Sequence, residues 1–338
     1  MAAPVFIIGT ERSGSNLLRL ILNAHSRIVI PHPPHVMRYF SPLEVRYGDL
    51  TDDSRFRCLV ADVLALVHAH IHPWDWIPTQ EDVFARARVR SVLGAYVALH
   101  EALLAHSGKA RWGCKSTFMV DHVADLRAAL PDARFLWLFR DPRDVAASSK
   151  ESVFSAFHPA LSARLWAAQQ EKALAAEAGG GVLRVRYEEL VAEPEAAVQR
   201  ICAFLEEPFE PEMLRWFQKE EAAKSAALSE SWKNTAAPMQ KDRLARYRRD
   251  LRPEEIAVVE EIAGPTMEML GYARDLPVPA PATGLRAWLR EATWRLLDDL
   301  LWLRVELRSL RRDLNVARRR DRFWLMQRIK WRLVLSGG

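Results

Sequence analysis

Cysteine is scarce in this chain. Cys58, Cys114 and Cys202 are the only three in 338 residues, widely separated and with no CxxC spacing. That excludes a disulfide framework and a cysteine-built zinc site, and leaves buried reduced thiols. Long apolar runs are missing as well, since no stretch approaches eighteen uncharged apolar residues, and no membrane-spanning helix is predicted. The N-terminus enters its first apolar run without a basic segment or a small-residue cleavage site, so a cytoplasmic protein is expected. Net charge is a modest +5, but unevenly placed. Residues 285–338 hold fourteen Arg or Lys against six Asp or Glu, a net of +8, so the first 284 residues carry −3. A hydrophobic share of 49% is enough for a full core, in one large domain or two smaller ones.

What the chain does have is alternation. Strand-like apolar runs recur at Val5–Ile8, Ile28–Ile30, Phe135–Phe139 and Val182–Val185, with helical patterns at Val120–Leu130, Leu161–Ala178 and Glu195–Leu205. This predicts an α/β fold with a largely parallel central sheet and ligands at the carboxyl ends of its strands. The proline-rich stretch ARDLPVPAPATG, residues 273–284, marks a linker between a domain over 1–272 and a tail over 285–338. Residues 38–109 are irregular: a helical pattern over Cys58–His70 is broken by IHPWDWIP. That insertion reads either as part of a substrate pocket or as a tryptophan core plug.

The opening PVFIIGTERSGSN places a glycine-bounded turn between a strand and a helix, which aims backbone N–H groups and a helix dipole at one point and suits a phosphate. Gly9 and Gly14 have the spacing of a nucleotide kinase loop, yet Ser15-Asn16 stand where that loop needs its lysine and its magnesium-binding hydroxyl. Arg12, Ser13, Ser15 and Asn16 are instead donors for an anion that needs no metal. A second anion site reads from RFLWLFRDPRDVAASS. There Arg140 ends a strand, Asp141 is a candidate N-cap, Pro142 fits the first helical position, Asp144 completes a capping-box-like turn, and Ser148 lies eight residues beyond Arg140.

Together the two stretches resemble the PAPS-dependent sulfotransferases, whose common form is a Gly-x-x-[Arg/Lys]-Ser-Gly-Thr loop followed by an Arg-Asp-Pro-Arg-Asp motif with a downstream serine. WGCKSTFMVDHVADLRAALPDARF and VRYEELVAEPEAAVQRICAFLEEPF extend the likeness, which covers about residues 4–275 and is nearest to the bacterial and tyrosylprotein branch. The resemblance implies a P-loop-like three-layer fold with a central parallel sheet, here with a C-terminal α-helical extension. It implies PAPS (3′-phosphoadenosine 5′-phosphosulfate) as co-substrate, PAP as product and no metal. It gives Arg12, Ser13, Gly14, Ser15 and Asn16 to the 5′-phosphosulfate and Arg140 and Ser148 to the 3′-phosphate. Tyr187 falls near the adenine, and Trp232 and Lys233, in SWKN, on a late loop closing over the nucleotide. Ser15-Asn16 depart from the family's usual Thr-Thr.

Sulfuryl transfer needs cations and N–H donors where charge develops on the leaving oxygen, and a base for the acceptor proton. Arg12 meets the first need, and Lys115, in GCKST, aligns with a lysine the family uses near the transferred group. For the base, the related branch's glutamate falls on His32, with His35 the alternative across two prolines; Glu44, His122 or no protein base remain further options. The acceptor is expected to be a small-molecule or lipid-like hydroxyl or amine. The tail spaces Leu and Trp at three and four residues among arginines and carries five of the twelve tryptophans. It reads as one or two basic amphipathic helices, suited to the inner face of a membrane, to homodimerisation or to packing on its own catalytic domain, and less to nucleic acid. Two other functions are weighed against the enzyme: a P-loop-type kinase, and a non-catalytic PAP-binding or membrane-tethering protein.

Overall fold

A computed structural model describes residues 2–72, 74–152, 157–228, 230–277, 283–312 and 315–336. Five strands, β1 (Val5–Gly9), β2 (Ile28–Val29), β3 (Arg111–Lys115), β4 (Arg134–Phe139) and β5 (Val182–Arg186), form one parallel sheet in the order β2-β3-β1-β4-β5. β1 has no polar side chain and every residue of it is buried, as a central strand covered on both faces requires. The second neighbour of β1, β3, is spelled RWGCK and gives no continuous apolar run.

The helices that position the site are α1 (Ser15–Asn23), α2 (Val36–Phe40), α3 (Asp53–His68), α4 (Val92–Ser107), α5 (Pro142–Lys150), α6 (Pro159–Glu177) and α7 (Pro253–Met269), followed by α8 (Gly284–Arg312) and α9 (Val316–Ser336). Side chains alternate across the sheet, so two cores form. Phe6, Ile8, Phe135 and Trp137 pack with α3, α4, α6 and α7, while Val5, Ile7, Leu136 and Leu138 pack with α1 and with the helix Pro194–Leu205. The result is a three-layer α/β fold. Ile7 lies beside both Lys115 and Leu136, and Gly9 beside Leu138, so β1, β3 and β4 end together. The chain runs from β1 to β2 and β3 on one side, with β4 and β5 on the other, which puts a crevice at this strand end.

Several local expectations change. The pattern over Val120–Leu130 splits into a 3-10 turn, Thr117–His122, and a short helix, Val123–Ala129. Asp141 caps α5 by accepting from the Arg143 N–H at 2.9 Å, with Pro142 in the first turn. The capping box does not form, because the Asp141 N–H donates to Glu188 and the Asp144 carboxylate reaches away to the N–H groups of Ala245 and Tyr247 at 3.0 and 2.9 Å. In IHPWDWIP the indole of Trp74 donates to the His32 carbonyl at 2.8 Å, so this tryptophan is a buried brace, while Ile71 lines a cavity. Of the proposed linker, residues 278–282 lie outside those described. Both tail helices rest on the rest of the protein: Trp294 of α8 is buried and Glu291 pairs with Arg164 of α6, while Met326, Ile329 and Leu333 of α9 join the core beside α3.

Candidate active site

The crevice is a cavity of about 920 Å³. The turn out of β1 forms its floor. Gly9 and Gly14 have φ of 138° and 92°, and Arg12 between them is also left-handed at 67°, a conformation costing a non-glycine residue of order 1 kcal/mol. Gly14 is doubly required, because a Cβ there would stand 2.5 Å from the Tyr187 ring. Below the turn, Arg19 is fully buried and donates to Asn16 Oδ1 at 2.9 Å, to Glu221 at 2.7 Å and to Ser225 at 3.0 Å. This fixes the Asn16 amide with its oxygen occupied and its Nδ2 donor without a partner.

Arg140 follows β4 into the same cavity. Its Cζ lies 4.4 Å from the Tyr187 ring centre, and Nη2 donates to Asp144 and to the Arg243 carbonyl, leaving a buried Nε with no partner. Ser148 Oγ accepts from Arg12 Nε at 3.1 Å, so the two motifs read separately in the sequence touch directly. Burial lowers the Arg12 guanidinium to about 10, with Glu11 opposing and the charges of Arg140 and Arg246 adding. Ser13 Oγ, Asn16 Nδ2 and Arg140 Nε are thus three buried donors left unsatisfied by the protein, each costing about 1–3 kcal/mol unless something accepts from it. Donors of this kind beside two close guanidiniums fit the phosphate groups of PAPS.

At the other end lie the histidines. His32 is buried, both ring nitrogens lack a protein partner, and its ring centre lies 4.9–5.1 Å from those of His70, His72 and Trp232. Burial holds it well below the usual histidine range, with the fields of His70, Arg19 and Lys115 adding, so it is neutral at pH 7. His35 is left-handed at φ 59°, holds its Nδ1 2.9 Å from Ser116 Oγ, and is likewise pushed down by burial and by Lys115. Burial lowers the Lys115 ammonium to about 8, with Arg19 adding. Lys115 interacts electrostatically with Arg12 on one side and with both histidines on the other, so it bridges the two ends.

Of the residues given to PAPS or to the leading catalytic roles, all but Ser13 line the cavity. Tyr187 is wedged between Gly14 and Arg140, while Trp232, which touches His32, and Lys233 belong to the 3-10 segment Glu230–Ala236. Glu44, which accepts from the Val92 N–H, and His122, near Asp125, do not line it. Sequence reasoning missed Arg38, Arg243, Arg246, Arg319 and Arg322, all of which do. For Arg243 and Arg246 the basic run QKDRLARYRRD was a signal; for the other three there was none, since only the folded chain brings them in. With the four found by motif, nine cationic side chains line the cavity against Glu11 and Glu151. Among the described residues no group of three or more His, Cys, Asp or Glu could hold a metal ion, and no helix is long and apolar enough to cross a membrane.

The cation-lined cavity has no kinase lysine and lies at the switch point of a parallel sheet. The chain belongs to the Sulfotransferase family, whose model matches residues 4–211. It is 25% identical over 285 residues to the protein-tyrosine sulfotransferase A of Caenorhabditis elegans, an alignment covering 79% of this chain and 67% of that protein. The sulfotransferase domain from the curacin biosynthetic pathway shares its fold, with a TM-score of 0.57 at 19% identity over 82% of this chain and 99% of that one. So does the sulfotransferase domain of the Synechococcus PCC 7002 olefin synthase, with a TM-score of 0.53 at 22% identity over 82% and 98%. The protein is therefore an enzyme of sulfuryl transfer within the PAPS-dependent superfamily.

Proposed function

We propose that the enzyme moves a sulfuryl group from PAPS to a hydroxyl of a small-molecule or lipid-like acceptor, with His32 as base. The observation that carries this reading is that one cavity joins the loop around Arg12 and Arg140–Ser148 to His32 and Lys115. PAPS supplies the sulfuryl group and a phosphate leaving oxygen. The N–H groups of the loop, that of Ser13 among them, with the Ser15 and Asn16 side chains hold the 5′ end, Arg140 and Ser148 the 3′-phosphate, and Tyr187 packs beside the nucleotide. Trp232 and Lys233 cover it from the late segment.

As the acceptor oxygen bonds to sulfur and the bond from sulfur to the leaving oxygen breaks, the acceptor proton passes to a His32 ring nitrogen. Arg12 and Lys115 stabilise the charge that develops on the leaving oxygen. His32 is a weak base in the free protein, but a bound polyanion favours its protonated form and raises it towards the range in which a base is effective. His35 is the alternative acceptor of that proton.

The test is labelled PAPS with a pool of hydroxyl acceptors. His32→Ala should lower turnover by roughly 10²–10⁴, the range for a lost general base, while PAP still binds. A milder loss than in His35→Ala would move the base to His35, and PAP binding without any turnover in the unaltered protein would make it a nucleotide-binding protein only.

A peripheral place on the inner face of a membrane is part of the same reading. Trp288, Trp302, Phe323, Trp324 and Trp331 are 54–66% exposed on α8 and α9 among arginines, the mixture that lies at a lipid interface.

A further inference from the structure

α9 lies beyond the residues that match the family, yet it reaches the cavity. Its inner face is fixed by buried Met326, Ile329 and Leu333, by an ion pair from Arg332 to Asp62, and by Arg318 Nη1 donating to the His70 carbonyl at 3.3 Å. Arg319 and Arg322, three residues apart and so on one side of the helix, line the cavity from this docked position.

Contacts divide the cations of the cavity into two groups. Arg12 donates to Ser148, Arg140 lies over the Tyr187 ring and donates to the Arg243 carbonyl, and the charges of Arg140 and Arg246 are felt at Arg12, all beside the loop that suits phosphate. Arg38 and Arg322 stand at the histidine end. Arg38 Cζ is 4.0 Å from the Phe118 ring centre, Phe118 packs edge-on against His35, and Arg38 and Arg322 each lie 5.9 Å from the Tyr39 ring centre. Arg319 lies near Glu306, at 3.8 Å. The fields of Arg322 and Arg38 reach His35 and help to hold it below its usual range.

The first group stands beside the loop and the strand end assigned above to the nucleotide's phosphates. The second is placed where the acceptor must lie, on aromatic walls that have no need of charge. We propose that Arg322, with Arg38 and Arg319, binds an anionic group (phosphate, sulfate or carboxylate) carried by the acceptor close to the hydroxyl that becomes sulfated. The C-terminal helix is then a component of the acceptor site. An anion held there also offsets the arginine fields at the histidines, so acceptor binding favours proton uptake. This inference rests on the sulfuryl-transfer reading above.

The test uses the full chain saturated with PAP and three probes in calorimetric titration: dihexanoylphosphatidylglycerol, glycerol 1-phosphate and neutral dihexanoylglycerol. The anionic probes should bind, and the neutral one about tenfold more weakly or not at all, the scale of a charge-assisted hydrogen bond. Phosphatidylglycerol binding well above glycerol phosphate would identify a lipid headgroup as the source of the anion, and equal binding a free phosphate; both support the site. Arg322→Gln and Arg38→Gln should each weaken the anionic probes about tenfold while changing PAP affinity by less than about twofold, and Arg322→Lys should retain most of the binding. Equal binding of neutral and anionic probes, or no effect of either glutamine variant, would overturn the proposal. A loss of PAP affinity in Arg322→Gln as large as the loss of probe affinity would assign Arg322 to the nucleotide instead. Failure of PAP itself to bind the unaltered protein would be a failure of the sulfuryl-transfer reading.

Discussion

Gly14, Tyr187 and Arg140 form a stack in which each position constrains the next: the ring leaves no room for a Cβ on the loop, and the guanidinium lies over the ring. Lys115 is the other residue whose surroundings set its chemistry. Burial holds its ammonium at about 8, so in the free protein a growing fraction is neutral above that pH. A bound polyanion favours the charged form. PAP binding should therefore take up a proton as pH rises through about 8, and affinity should fall across that range; titrations in buffers of different ionisation enthalpy measure the uptake. Lys115→Met should abolish it, and an unchanged uptake in that variant would assign the proton to another group. At this scale much of the site was legible. Arg12, Arg140 and Ser148 lie in short motifs whose spacing has a physical meaning, and His32 and His35 follow a strand end. Arg38, Arg319 and Arg322 were not legible, because an arginine on an amphipathic helix looks the same whether it faces solvent or a cavity.

Elements carried less of their purpose in the sequence. The start of α5 was readable from Asp141 and Pro142, but Asp144 serves a distant segment, pinning the N–H groups of Ala245 and Tyr247 and so holding Arg243 and Arg246 at the cavity. A local capping pattern cannot distinguish a partner three residues away from one a hundred residues away. The tail shows the same limit. Leu and Trp at helical spacing predicted one or two amphipathic helices; the tail folds as two helices, and apolar side chains lie on both sides of them, Trp294, Met326 and Leu333 buried while Trp288, Phe323, Trp324 and Trp331 are exposed. Periodicity shows that a helix has an apolar stripe but not which of two stripes meets the core. The outer stripe predicts binding to phosphatidylglycerol vesicles at low salt, since each Arg or Lys at an anionic surface contributes about 1 kcal/mol. Co-sedimentation should weaken at high salt and fall when Trp324 and Trp331 are both replaced by serine. No co-sedimentation at low salt, together with concentration-dependent dimerisation, would make the stripe an interface between two copies instead.

For the whole molecule, the parallel sheet was readable from four apolar runs and the helices between them, and only β3, spelled RWGCK, gave no apolar run. Strand order decides what the motifs mean. Because β1 lies between β3 and β4, the loop after β1, Lys115 and Arg140 meet at one strand end although they span more than a hundred residues of sequence. In the proposed function this single pocket holds a nucleotide with phosphates at both its 5′ and 3′ ends. Comparing PAP with 5′-AMP, which differs only in lacking the 3′-phosphate, tests this most directly. PAP at a hundredfold excess over its dissociation constant should stabilise the fold by roughly 2.7 kcal/mol and raise the thermal midpoint well above that with 5′-AMP at the same concentration, and Arg140→Ala should erase the difference. Equal shifts with the two nucleotides in the unaltered protein would contradict it.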